Sequence, residues 1–368
     1  MTHKERIKAI LNYEKYDRIP VVSFGYWHET LEKWHSEGHV TKEEWHDYLD
    51  GNAADNSIMK KLGFDFNWNP GYWADFGVNP LFKPEILEKY DNGQVKMINE
   101  AGVIVIVKEG ITCISSEVGH TLTDRKSWEE LYLPKLQYSE SRIDFNRVNE
   151  LENDSVPVGL YCGSLMGNIR NLTGVEGLAY LYADDEELFR EIVDTVGDFT
   201  YKTVKRILET GVKFDYGHFW EDICFKNGPL VIPAVFDELA GLHYRRITQL
   251  LNDNGINIVS VDCDGVIDSL IPTWLNNGVN TMFPIEVGTW NASLKPWREK
   301  YGKDIRGVGG MNKLEFAKDY KAIDAEIERL KPLIELGGYI PCPDHRIHPE
   351  AIWENVQYYC DKMQNLTR

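Results

Sequence analysis

Asn257-Ile-Val-Ser-Val261 is a short, largely apolar run that passes directly into Asp262-Cys-Asp-Gly265, two carboxylates followed by a turn signal. The run reads as a strand. On either side of it the same grammar repeats. Strands are predicted at Val156–Tyr161, Val212–Phe219, Thr281–Pro284, Ile305–Val308 and Gly338–Pro341, with helical stretches at 183–209, 234–254, 266–277, 313–335 and 349–364. Strands that alternate with helices imply a parallel sheet with the helices outside it. Arg18–Phe24 adds an N-terminal strand, which makes seven, close to the eight of a closed ring. No Gly-x-Gly-x-x-Gly follows the first strand, so a dinucleotide fold is disfavoured. The expected fold class is α/β, a TIM (β/α)8 barrel.

The N-terminal part, residues 1–62, reads as helical. Ile7, Ile10 and Leu11 repeat at helical spacing over Lys4–Asn12 with Thr2 as a cap, and Thr41 with Glu44 forms a capping box. Residues 85–125 change character. Asp91-Asn-Gly93 is a turn signal, and short runs follow at 95–98, 103–107 and 111–115. They predict a small antiparallel β insertion, because three short strands bury too little to stand alone. Residues 1–368 are thus expected to form one domain.

Composition narrows the function classes. The chain has 368 residues, 40 Lys and Arg against 58 Asp and Glu, and a formal net charge of −18. That balance argues against a nucleic-acid surface, which needs clustered cations. At 43% apolar content, general disorder is excluded. No apolar run reaches the roughly 18 residues that span a bilayer, and the first twenty residues carry no signal-peptide core. A cytoplasmic protein without membrane partners is expected, as a monomer or a homodimer. Six cysteines, at 113, 162, 224, 263, 342 and 360, are too scattered for a disulfide framework.

In a barrel of this kind the chemistry sits where the strands end. Those ends carry Ser164 and Arg170, then His218, Trp220, Glu221 and Asp222, then Asp262 and Asp264, then Glu286, and finally Cys342 and His345. Residues i and i+2 of an extended segment share a side, so Asp262 and Asp264 can face one cavity with Cys263 turned away. Asp264-Gly265 equally reads as a turn with Asp262 capping the next helix. His345, with the two aspartates and Cys342, offers a metal set, or it hydrogen-bonds its own loop. Glu221, beside Trp220, suits a general acid, with His218 as a second proton donor, or it is a solvated acid at a helix cap. Arg170 fits a substrate carboxylate, or an outward salt bridge. Trp27, Tyr72, Trp73, Trp220 and Trp290 suit a flat ring or a methylammonium cation, although core packing uses the same residues.

The order of motifs resembles the uroporphyrinogen decarboxylase superfamily. The resemblance rests on the Gly163-Ser164 loop, Glu221-Asp222 followed by Gly228-Pro-Leu-Val-Ile-Pro233, Asp262-x-Asp-Gly265, Gly337-Gly338 leading to Asp344-His345 and Pro349-Glu350, and Asn355. It implies a (β/α)8 barrel. Where decarboxylases of the superfamily carry an arginine-rich substrate loop, this chain has Phe24-Gly-Tyr-Trp-His28 with no arginine, which makes a polyanionic tetrapyrrole a poor substrate. Where corrinoid-linked thiol methyltransferases carry a His-x-Cys and distant Cys zinc site, this chain has Asp262, Asp264 and His345. What remains is similar to the methyltransferase components of O- or N-demethylation systems. The resemblance then implies transfer of a methyl group from a small methoxylated or methylated substrate to the cobalt of a corrinoid, or cobalamin-binding, partner protein. A metal on Asp262, Asp264 and His345, with zinc as the expected ion, or a proton from Glu221 or His218, would help the leaving group. The alternative is a lyase acting on a small carboxylated substrate, with Ser164, Asp222 and Glu286 among the binding residues in either case.

Overall fold

The computed structural model describes residues 1–69, 71–108, 116–151 and 155–366. Six strands, Gly159–Tyr161, Tyr216–Trp220, Val259–Asp262, Thr281–Phe283, Arg306–Met311 and Tyr339–Pro343, lie side by side in chain order in one sheet. Every neighbouring pair is parallel. Parallel neighbours need a long crossover, and helices supply it. Among them are Glu186–Leu208, Pro233–Asp253 and Tyr320–Glu335, each with an apolar stripe that is buried.

A further parallel pair, Val22–Ser23 with Phe66–Asn67, lies between the two edges of that sheet. On one side Tyr26 bridges Ile347, and the Trp27 N–H donates to the Ile347 carbonyl at 3.2 Å. On the other side Tyr72 bridges Leu160, with the Tyr161 N–H on the Tyr72 carbonyl at 3.0 Å. Trp68, just past the second of these strands, is buried and stacks on Tyr216 with ring centroids 4.4 Å apart. Phe66–Asn67 is the strand missing from the sequence reading. Two residues are too few to show a period of two.

Other expectations shift. The first strand shortens to Val22–Ser23, and Val212–Phe219 becomes Tyr216–Trp220. The helix Gly167–Asp184 was not anticipated, because Gly174 (φ 73°, ψ 170°) breaks its geometry midway and interrupts the apolar period. The stretch 313–335 divides into a 3-10 turn, Lys313–Ala317, and the helix Tyr320–Glu335. At the N-terminus Thr2 and Glu5 cap the helix His3–Leu11 reciprocally, and Thr41 and Glu44 do the same for Lys42–His46.

Among the described residues the antiparallel excursion shows four strands, Glu85–Lys89, Gln94–Ile98, Val103–Lys108 and Ser116–His120. The predicted run at 111–115, with Cys113, lies outside the described residues. One contiguous buried cluster extends from Ile7 to Met363, and Val103 and Val105 of the excursion are buried outside it. Among the described residues no helix is long and apolar enough to cross a membrane.

Trp68→Ala tests how far the short strand pair is held by packing. It empties a fully buried indole site and is expected to lower the unfolding free energy by about 3–5 kcal/mol. Urea unfolding should show the midpoint shift at constant slope.

Candidate active site

The strand Val259–Asp262 delivers Asp262 to its C-terminal end, and Asp264 follows two residues on. Cys263, between them, is buried with its thiol against Cys224. Gly265 closes the turn at φ 90°. A Cβ there would meet the Cys224 carbonyl oxygen at 2.7 Å, so only glycine fits. The Gly265 N–H donates to Glu286 Oε2 at 2.7 Å, which ties the ends of two adjacent strands together. Asp222 comes from the end of the strand Tyr216–Trp220. It has φ 48°, a left-handed conformation that aspartate tolerates better than most residues, and its Oδ1 accepts the Asp264 N–H at 3.0 Å.

Ligand atoms of Asp222, Asp262 and Asp264 all lie within 4.8 Å of one another. His345, from the loop after the last strand, places Nε2 3.3 Å from Asp264 Oδ2. Its ring stacks on Trp27 at 5.4 Å and meets Phe24 edge-on at 5.4 Å, so its orientation is set by packing. Asp264 Oδ1 and His345 Nδ1 are buried, and neither has a hydrogen-bond partner among the described residues.

Burial first, and the neighbouring Asp264 second, push the Asp222 and Asp262 carboxyls above the usual range, Asp262 by far the more. The same two causes push Glu286 up to about 7. Burial lowers the Lys313 ammonium against the opposing pull of Asp344, Glu286 and Asp264. Arg170 lies over the Trp220 ring at 5.5 Å from its centroid, and its charge favours ionised Asp222. Arg346 acts likewise on Asp262 while its guanidinium pairs with both oxygens of Asp50. This rim holds more buried negative charge than its cations balance, and such a site retains a proton or a cation. Three convergent carboxylates, Asp264 with an unused buried oxygen, fit a divalent ion of the harder or borderline kind, zinc included, and the His345 imidazole borders them through Asp264 from outside that trio.

Other predicted residues sit elsewhere. Glu221 is wholly buried. Its carboxylate accepts the N–H groups of Leu165, Met166 and Gly167 at 2.7–3.0 Å, the Ser164 hydroxyl at 3.2 Å and the Tyr244 hydroxyl. Glu221 and Ser164 therefore bind each other and shape a turn. His218 is buried within its strand with Nδ1 2.7 Å from Ser260 Oγ, and burial lowers its pKa to about 3, so it is neutral at pH 7. Cys342 is fully buried. Its electrostatic neighbours are Tyr339, Tyr359 and Asp344, and it is not part of the convergent trio. Tyr72 is buried, with its hydroxyl on the Asp144 carbonyl at 3.4 Å. Trp73 stacks on Tyr161 at 3.9 Å and faces a neighbouring cleft. Trp290 keeps its Nε1 buried without a partner among the described residues.

Sequence reasoning did not single out Asp50, Lys313 or Arg346, and it named Asp344 only within the Asp344-His345 motif. Asp344 and Arg346 flank His345, and that adjacency was the available signal. Asp344 Oδ2 accepts the N–H groups of Val287 and Gly288, and Oδ1 that of Lys313, which fixes the loop behind Glu286.

No protein-family model and no curated protein matches the chain. Solved structures do. A methyltransferase from Methanosarcina mazei is similar at 17% identity and a TM-score of 0.65, over 99% of both chains. A B12-independent methionine synthase from Shewanella sp. W3-18-1 is similar at 9% identity and a TM-score of 0.50, over 95% of this chain and 98% of that one. At such identities the likeness is one of fold.

Glu286 should leave a mark on stability. With its folded value near 7 against an ordinary 4.5, the folded chain holds the extra proton. That contribution is complete below pH 4.5 and is lost as pH rises through 7. In chelator, wild type should lose roughly 3 kcal/mol across this window relative to Glu286→Gln. Thermal and urea unfolding at several pH values measure it, and parallel profiles for the two proteins would contradict it.

Proposed function

We propose that the chain is a methyltransferase on a closed (β/α)8 barrel, which moves a methyl group from a small methoxylated or methylated substrate to the cobalt of a corrinoid protein. The observation that carries this reading is the meeting of Asp222, Asp262, Asp264 and His345 at one end of the parallel strands. The bridges Tyr26–Ile347 and Tyr72–Leu160 support ring closure. The full-length likeness of fold to the Methanosarcina methyltransferase supports the activity.

The chemical demand is on the leaving group. A methyl on an ether oxygen departs readily only when that oxygen is protonated or bound to a Lewis acid. Asp222, Asp262, Asp264 and His345 would hold a divalent ion, zinc being one that fits, and the ion would supply Lewis acidity toward the substrate oxygen. Without the ion, the same three crowded carboxylates keep a proton at Asp262, available to that oxygen. Trp27 and Phe24 hold His345 in place. Trp220 and Arg170 form the wall beside Asp222, against which the body of the substrate lies. Glu221 positions this wall through the 164–167 turn and does not touch substrate.

A second reading has one observation in its favour. Arg170 Nε is buried without a partner among the described residues. A substrate carboxylate would satisfy it, as in a lyase with His345 as proton donor.

The test joins metal binding to turnover. Chelator-treated protein should bind about one equivalent of zinc, and Asp264→Asn and His345→Ala should each weaken binding roughly 10- to 100-fold. With a reduced corrinoid protein and a panel of methoxyaromatics and methylamines, the cobalt spectrum should change for wild type, and Asp262→Asn should slow that change at least 100-fold. Carbon dioxide release from carboxylated aromatics without any cobalt change would favour the lyase. Full transfer activity in Asp262→Asn would overturn the site assignment.

A further inference from the structure

The helix Gly167–Asp184 begins beside the buried Glu221, whose Oε2 accepts the Gly167 N–H at 2.7 Å, and its geometry breaks at Gly174. His120, at the end of the strand Ser116–His120, packs against that break. A Cβ at 174 would meet His120 Cε1 at 2.5 Å. Beyond the break, residues 175–185 and 117–125 enclose a groove of about 760 Å3. None of the rim acids lines it.

The floor of the groove is apolar. Leu122, Leu181 and Leu188 are buried there as part of the main core. Its edges are apolar too, yet open to solvent: Val118 is 46% exposed, Val175 42% and Tyr180 63%. Single exposed apolar side chains are ordinary, whereas three around one groove mark an interaction surface.

Charge selects the occupant. Glu117, Asp124, Glu176, Asp184 and Asp185 line the groove. Asp124 and Asp185 cap helices, with Oδ1 on the N–H groups of Ser127 and Leu188. Glu176 and Asp184 are exposed and have no ion pair among the described residues. The Arg125 guanidinium also lines it, but it is committed to Glu191 at 2.9 Å and Asp185 at 3.5 Å. His120 is 3.7 Å from Glu117, and burial lowers its pKa below the ordinary 6.5, so it is neutral at pH 7. The groove is therefore net negative. A second copy of a chain with net charge −18 would be repelled. A small inorganic cation would leave the apolar edges in water. An added strand would need the outer edge of Ser116–His120, which Gly174 obstructs at His120. An amphipathic helix needs no such edge and meets both the apolar and the acidic surfaces.

We propose that this groove docks a basic amphipathic helix of a partner protein, its apolar stripe on Val118, Val175 and Tyr180 and its lysines or arginines beside Glu117, Glu176 and Asp184.

Fluorescence anisotropy on the full chain tests this with two labelled peptides of the same Leu and Lys composition, in salt of about 0.15 M to screen diffuse attraction. One has Leu at helical spacing and the other alternates Leu with Lys as a strand does. The helical peptide should bind with a Kd of roughly 100 μM or tighter, and the alternating one at least tenfold more weakly. Tyr180→Ala and Glu176→Lys, both at exposed positions, should each weaken the helical peptide about tenfold, whereas Glu299→Lys, the same charge change outside the groove, leaves it unchanged. Equal binding of the two peptides, or binding that Tyr180→Ala and Glu176→Lys leave intact, would overturn the proposal. So would a dimer in sedimentation that Tyr180→Ala dissociates, because the groove would then belong to a second copy.

Discussion

The carboxylate of Glu221 organises the acid-rich end of the parallel strands. It is removed from water and surrounded by five donors: three backbone N–H groups, the Ser164 hydroxyl and the Tyr244 hydroxyl. Burial raises the cost of its charge, and the donors offset that cost only if all of them stay in place. The turn after one strand, the helix Pro233–Asp253 and the strand Tyr216–Trp220 are thus held in one arrangement. The Glu221 N–H also donates to the Asp262 carbonyl at 2.8 Å, so the clasp reaches the strand that carries the acidic pair. Asp222 is the next residue. Its left-handed backbone is sustained because both sides of it are pinned, which is how strain persists at functional sites.

Above the clasp the physics reverses. Glu221 has donors in excess, whereas Asp222, Asp262, Asp264 and Glu286 crowd one another with few. Arg170, Arg346 and Lys313 moderate the field, yet each is partly engaged elsewhere, Arg170 on Trp220 and Arg346 on Asp50. The rim is built to hold something positive. The proposed methyl transfer uses that tendency, as a bound ion or a retained proton at the oxygen that must leave.

Much of the architecture was legible from short apolar runs ending in polar residues. Asp262-x-Asp264 pointed to one face because a strand alternates, and the two carboxylates do converge. Phe66–Asn67 stayed hidden because two residues carry no period, and Gly167–Asp184 because Gly174 breaks its period. Glu221 looked like an acid poised beside an indole. Nothing in the linear order shows that three N–H groups from residues 165–167 converge on it. Cys342 looked like a ligand three positions from His345, but its thiol is fully buried and is not part of the convergent trio.

By itself the sequence determined the alternation of strand and helix, the capping boxes at Thr2 and Thr41, and the placement of acids after strands, because each depends on neighbours within a few residues. The tertiary structure alone decided which acids share a rim and which are silenced by donors. Those outcomes depend on distances between segments far apart in the chain. A side chain's charge and proton affinity follow from the groups around it in space.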